Sequence, residues 1–161
     1  MTSTAKLLYE KATEKACGSS CVDWAVERLI GGDDGDNLRR LAGMLPPYNH
    51  FELSALRDRA LAELHIPISE PQKAILNFAG EIISQIAIGD TDELIGAEFV
   101  AGLCIEADYS RKLMDFYLLH YAAVDLDYDE VQWYWDGATR DNIRQLIRDR
   151  ALAYVASKSD S

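Results

Sequence analysis

Apolar positions return at spacings of three and four along nearly the whole chain, while alternating, strand-like runs are weak. Leu7, Leu8 and Ala12 line one side of an amphipathic helix expected over 4–16 and ended by Gly18. Ser20 is placed to cap a second helix carrying Val22, Trp24, Ala25, Val26, Leu29 and Ile30, which Gly31-Gly32 stops. Asp33 to Asp36 reads as a turn. Asp36 or Asn37 then caps a short helix through Leu38, Leu41 and Ala42, and Pro46-Pro47 breaks the chain again.

The clearest local signature follows. Asn49 stands at an N-cap position, Glu52 sits three residues on, and Tyr48 and Leu53 occupy the positions of a hydrophobic staple. That helix should run to about Leu64, before His65 and Pro67. Ser69 and Gln72 repeat the capping spacing. The helix they open, with Ile75, Leu76, Phe78, Ala79, Ile82, Ile83, Ile86 and Ile88, is apolar on most sides and is expected to be central. Gly89 ends it, and Thr91 is expected to cap the next, where Asp92 and Glu93 complement the positive end of the helix dipole. Gly96 and Gly102 weaken that helix relative to alanine, and close approach of a neighbouring helix would explain both.

Asp108 or Ser110 starts a further helix through Leu113, Phe116, Tyr117, Leu119, His120 and Ala123. Part of the segment DLDYDEVQWYWDG, from about Asp129, is expected to be helical. Thr139 caps the last helix, in which Arg140, Arg144 and Arg148 recur every four residues along one flank. Short helices joined by short turns favour antiparallel neighbours. The expectation is an all-α single domain over 1–157, a multi-helix bundle or short superhelical stack of seven to nine helices, with a frayed tail over 158–161. The similar pieces LRDRALAEL and IRDRALAYV share helix-forming composition and are not read as a repeat.

At 161 residues and 48% apolar content the chain can bury a core of ordinary size. Its net charge of −11 argues against nucleic acid and against an anionic membrane surface as partners, because both need a basic face. The most apolar run, Ala74 to Gly89, is too short to span a bilayer. The N-terminus reads as a polar helix without a secretion signal, so a cytoplasmic location is expected. The odd number of cysteines, Cys17, Cys21 and Cys104, then suggests reduced thiols.

Known catalytic and metal signatures are incomplete. Asp125, Asp127 and Asp129 open like a calcium loop, but Glu130 stands where the loop needs glycine and Asp136 where it needs a bidentate glutamate. His50-Phe51-Glu52 gives H-x-E without the cysteine pair of a zinc deaminase. His50, His65 and His120 form no helical metal pair, and His120 reads as a packed histidine. The glycine-rich turn at 31–36 lacks the lysine of a phosphate loop and carries carboxylates that would repel phosphate. No catalytic residue, metal or cofactor is therefore assigned.

Charge and aromatic content coincide elsewhere. Twelve of the 27 carboxylates but only two of the 16 cationic residues lie between Asp90 and Asp136, together with nine of the 15 aromatic residues. Within this stretch Asp125, Asp127, Tyr128, Asp129, Glu130, Trp133, Tyr134, Trp135 and Asp136 form the candidate partner-binding set. Large rings supply buried contact area at interfaces, and a carboxylate rim steers a basic partner. The plainer alternative is that the indoles pack inward and the acids merely solvate the outside.

Trp24, Ala25, Leu41, Ala42, Gly43, Asn49, Phe51 and Glu52, within the run from Asp23 to Leu64, carry a resemblance. The run resembles a segment of small acidic helical bacterial proteins, in which a Trp-Ala helix precedes a glycine turn, a Leu-Ala-Gly helix and an Asn-x-Phe-Glu cap. Most such proteins have no assigned activity, and some resemble immunity proteins encoded beside toxins. The resemblance implies an all-helical fold and, as the sharpest functional version, a non-enzymatic inhibitor that covers a basic toxin. Two other readings stay open: a regulatory or scaffolding protein that forms a homodimer through helices 70–88 and 92–107, and an enzyme whose pocket joins carboxylates to His120.

Overall fold

Eight helices carry the chain in the computed structural model, which describes residues 2–160. They are α1 (Thr4–Ala12), α2 (Ser19–Ile30), α3 (Asp36–Ala42), α4 (His50–Glu63), α5 (Pro71–Ile88), α6 (Glu93–Glu106), α7 (Met114–Tyr128) and α8 (Ile143–Ser159). No strand occurs among the described residues, so the fold is all-α with a helix number inside the expected seven to nine. No helix among them is long and apolar enough to cross a membrane. Where the sequence suggests one domain over 1–157, the chain divides into two compact units, Met1–Ala74 and Ile75–Ser161.

In the first unit, the apolar positions spaced three and four apart close a core of Leu7, Trp24, Ala25, Leu38, Leu41, Leu53 and Leu61. The Trp24 ring is buried, and its indole N–H donates to Thr4 Oγ1 at 3.1 Å. Asn49 caps α4 as its spacing predicts, Oδ1 accepting from the N–H groups of Phe51 and Glu52 at 3.0 and 3.3 Å. Leu53 is buried, and Tyr48 packs against the same core, as a staple requires.

Two ends differ from expectation. Gly18, not Ser20, stands at the N-cap of α2. The Ser20 hydroxyl instead donates to Glu10 Oε2 at 3.0 Å. Cys17 and Cys21, expected as reduced thiols, are joined in a disulfide across this helix start. α3 has no side-chain cap of its own. Its free N–H groups are met by Glu63 from the last turn of α4, which accepts from Asn37 N at 2.9 Å and Leu38 N at 3.2 Å. The Asn37 amide bond and its neighbours hold the Glu63 carboxyl below the usual carboxylate range.

In the second unit, α5 buries Ile75, Ala79, Ile82, Ile83 and Ile86 on one face and exposes Asn77, Ser84 and Gln85 on the other, so it is not enclosed all round. Gly89, at φ +82°, ends it. Asp92 rather than Thr91 then caps α6, accepting from Leu94 N and Ile95 N at 3.0 and 3.2 Å, while Thr91 turns back to Gln85. Gly96 meets its expected neighbour: a Cβ there would lie 2.5 Å from Ile86 Cγ1. Gly102 does not, since nothing lies within 4 Å of its own Cβ position.

α7 begins at Met114, after a turn over 111–113, and not at Asp108 or Ser110. Phe116 and Leu119 from α7, Val100 and Cys104 from α6, and Ile147 and Ala151 from α8 are buried in this unit. α8 starts after Asn142 instead of Thr139 and stays helical through Lys158 and Ser159, where a frayed tail was expected. Ser161, the end of that tail, lies outside the described residues.

Candidate functional site

The arginine flank of α8 is engaged from within. Arg144 reaches Asp92 at 2.5 Å and Glu93 at 3.1 Å, and Arg148 pairs with Glu93. Asp92 caps α6 and Glu93 is its first residue, where the dipole already favours negative charge. The Arg144 hydrogen bond is the main cause holding the Asp92 carboxyl below its ordinary range; for Glu93 it is the residue's own backbone N–H, reinforced by Arg148 and Arg144. Arg140 takes a different role, donating Nε–H to the Leu126 carbonyl at 2.5 Å. These contacts tie α8 and the loop before it to α6 and α7.

That loop is the segment the charge pattern singles out. Asp129 has extended backbone and ends α7, and residues 129–142 form turns and bends, not the helix expected from Asp129. Gln132 explains why. Its Oε1 accepts from the N–H groups of Tyr134 and Trp135 at 2.8 Å each, and its Nε2 donates to the carbonyls of Trp135 at 2.5 Å and Ala138 at 3.4 Å. One side chain thus satisfies backbone groups that a helix would have paired internally. Ala138 is buried beneath, and Gly137 at φ +80° makes the turn.

The loop presents its rings unequally. Trp133 is 89% exposed and Tyr128 88%, whereas Tyr134 is 43% exposed and Trp135 is half-buried. Tyr134 rests on Tyr121 of α7, ring centroids 5.8 Å apart. Of the carboxylates, Asp127, Asp129, Glu130 and Asp136 are exposed and Asp125 is half-buried. Asp125 and Asp127 both lie in the last turn of α7. Two positions apart on a helix, they point about 200° from each other, so D-x-D-x-D does not converge on a point. Asp129 instead accepts from the N–H of Glu130 at 2.6 Å. Among the described residues no three His, Cys, Asp or Glu side chains gather where a metal could be held.

Three further rings, counted in the aromatic stretch but outside the candidate set, belong to this surface. Tyr109, Tyr117 and Tyr121 continue the row from Tyr134: Tyr117 stands 4.7 Å from Tyr121 and 5.7 Å from Tyr109, centroid to centroid. The signal was present in the i, i+4 spacing of Tyr117 and Tyr121, which places two rings on one helix face. Tyr109 had no such signal, because it follows α6 in left-handed backbone, as does Asp108 (φ +55° and +53°). Desolvation, reinforced by the neighbouring tyrosines, raises the Tyr117 phenol above its ordinary value.

His120, named in the enzyme reading, lies on α7. It is half-buried, packs against Tyr121 at 4.9 Å, and desolvation lowers its pKa against the opposing pull of Glu98. A cleft of about 260 Å³ is lined by apolar Leu94, Ala123, Leu126 and Ile143 together with Asp127, Arg140 and Arg144; His120 does not line it. Its volume is below the usual range for a cofactor or drug-sized ligand, roughly 300–1,000 Å³. Cys104 is a buried thiol whose pKa burial raises, the opposite of a reactive cysteine. Comparisons with protein-family models, with curated proteins and with solved structures return no match for the chain.

Proposed function

We propose that the protein is a non-enzymatic binding protein that docks a basic protein partner on the surface around Trp133. The observation that carries this reading is the placement of that indole. It stands almost wholly in solvent, on a loop whose backbone Gln132 pins at four points. An exposed tryptophan adds little to a chain's own core, whereas a ring carried on an already ordered loop spares the backbone part of the ordering cost on binding. Within the stretch from Asp90 to Asp136, formally −10, Asp92, Glu93 and Asp115 are paired with arginines of α8, and the carboxylates around the loop, Asp125, Asp127, Asp129, Glu130 and Asp136, supply the attraction for a cationic surface. In its narrower form the partner is a basic toxin, for instance a nuclease. The resemblance of residues 23–64 to small acidic bacterial proteins supports that form.

The test is affinity capture from the source cell with wild-type and Trp133→Ala baits, eluted by a salt gradient. A basic protein retained by the wild type, released by salt and lost from the variant supports the reading. Equal retention by the two baits refutes the assigned surface.

A second reading, self-association, is favoured by one specific observation. Ile95, Phe99 and Ile105 are 55%, 60% and 42% exposed along the outer side of α6, around the open Gly102. A salt-insensitive homodimer in sedimentation, disrupted by Phe99→Glu, would select it over the first.

A further inference from the structure

The tyrosine row gives the docking surface a preference that charge alone would not. Resting on the reading of that surface as a site for a basic partner, we propose that the partner is engaged through arginine side chains stacked along the rings of Tyr109, Tyr117, Tyr121 and Tyr134, and that lysine is a poor substitute. The four rings form one connected series, with successive centroids 5.7, 4.7 and 5.8 Å apart. Tyr109 is 50% exposed and Tyr134 43%, so both ends of the series are open to a ligand, and Tyr117 and Tyr121 are only half-buried. Asp125 follows Tyr121 by four residues on α7, as Tyr121 follows Tyr117, so helical geometry sets a carboxylate in line with the rings. Asp108 adjoins the other end of the series.

Rings flanked by carboxylates discriminate between the two cations. A guanidinium is planar, weakly hydrated and able to stack on a ring while two of its N–H groups grip a carboxylate. An ammonium is a compact, strongly hydrated charge that gains from the carboxylates but little from flat ring faces. A surface built only for steering would need the acids and not the rings. Successive rings, with planes turned 78°, 56° and 36° to one another, lie about as far apart as side chains four residues apart on a helix, whose rise is about 6 Å, so an arginine-bearing helix can bring one guanidinium against the outer side of each ring.

Capped synthetic peptides with arginine or lysine at every fourth position of an alanine-rich helix serve as probes, titrated by calorimetry at about 150 mM salt. Wild-type protein is expected to bind the arginine peptide about tenfold more tightly than the lysine peptide. Tyr117→Leu/Tyr121→Leu keeps apolar volume, removes the two central rings, and should bring the two peptides within about twofold while leaving the lysine peptide's affinity unchanged. Tyr117→Phe/Tyr121→Phe keeps both rings and should retain the preference, which separates ring loss from general disturbance of α7. Equal binding of the two peptides by the wild type, or a preference that survives the leucine pair, overturns the inference while the docking surface stands. If neither peptide binds even at low salt, the reading of the surface as a cation-docking face fails with it.

Discussion

Gln132 holds Trp135 by both ends of its backbone: Oε1 accepts from the Trp135 N–H at 2.8 Å, and Nε2 donates to the Trp135 carbonyl at 2.5 Å. This pairing turns an acidic aromatic stretch into a fixed loop and leaves Trp133, two residues earlier, in solvent. Gln132→Ala removes the acceptor and the donor together. The expected outcome is faster hydrogen exchange at the Tyr134 and Trp135 amides and weaker partner binding, about tenfold, with a stability loss near 1 kcal/mol. Exchange measured by NMR checks the loop. Unchanged amide protection in the variant would deny Gln132 this role.

Trp133 and Trp24 should respond in opposite ways to the same change. Trp24 is 1% exposed inside the first core, and its alanine variant should lose roughly 3–5 kcal/mol of stability. Trp133→Ala should shift stability by no more than about 0.5 kcal/mol, as for other surface positions, yet weaken partner binding at least tenfold. Denaturant unfolding of the two variants beside the wild type makes the comparison. A large stability loss from Trp133→Ala would mean that the indole serves the fold.

The two glycines of α6 make a second contrasting pair. A methyl group at Gly96 would collide with the buried Ile86 side chain, so Gly96→Ala should destabilise by about 1–3 kcal/mol. Gly102 has open space at the same point, and Gly102→Ala should stabilise by up to about 1 kcal/mol through helix propensity alone. Thermal melts of both variants suffice. Stabilisation by Gly96→Ala would contradict the packing described for this helix.

Glu93 predicts a dependence on pH. Its carboxyl titrates below the usual range in the folded protein, so the unfolded chain takes up the proton first as pH falls. The stability it contributes is present above the ordinary glutamate value of about 4.3 and is lost as pH falls through the lower folded value. Glu93 is nearly buried, but its partners Arg144 and Arg148 are about half exposed, which reduces the loss on Glu93→Gln to roughly 1–2 kcal/mol at neutral pH. Unfolding midpoints between pH 2 and 7 should show a gap between variant and wild type that closes in acid. A gap constant across that range would rule out the ion pairs as its source.

Legibility in the sequence followed the range of the interactions. Local signals read correctly: the Asn49 cap, the stop at Gly89, and the presence of helices wherever apolar residues recur at three and four. Signals that depend on distant partners did not. The cap of α3 is Glu63, some 25 residues away, so no window around Asp36 could contain it. Thr91 and Asp92 are both competent caps, and the choice of Asp92 goes with Arg144 of α8, which supports its carboxylate. In the candidate site, the acid and ring content of 125–136 was legible by counting. The helix expected there failed because the Gln132 side chain takes up the local backbone groups, and the row from Tyr109 to Tyr134 is assembled by folding.

In the proposed function, carboxylates attract one basic partner and Trp133 retains it. Stopped-flow association and dissociation with the captured partner test it most directly, comparing wild type, Trp133→Ala, and Asp125→Asn/Asp127→Asn/Asp129→Asn/Glu130→Gln. The amide set should slow association several-fold and flatten its salt dependence, and Trp133→Ala should speed dissociation at least tenfold with association little changed. Rates identical to wild type in both variants would contradict it.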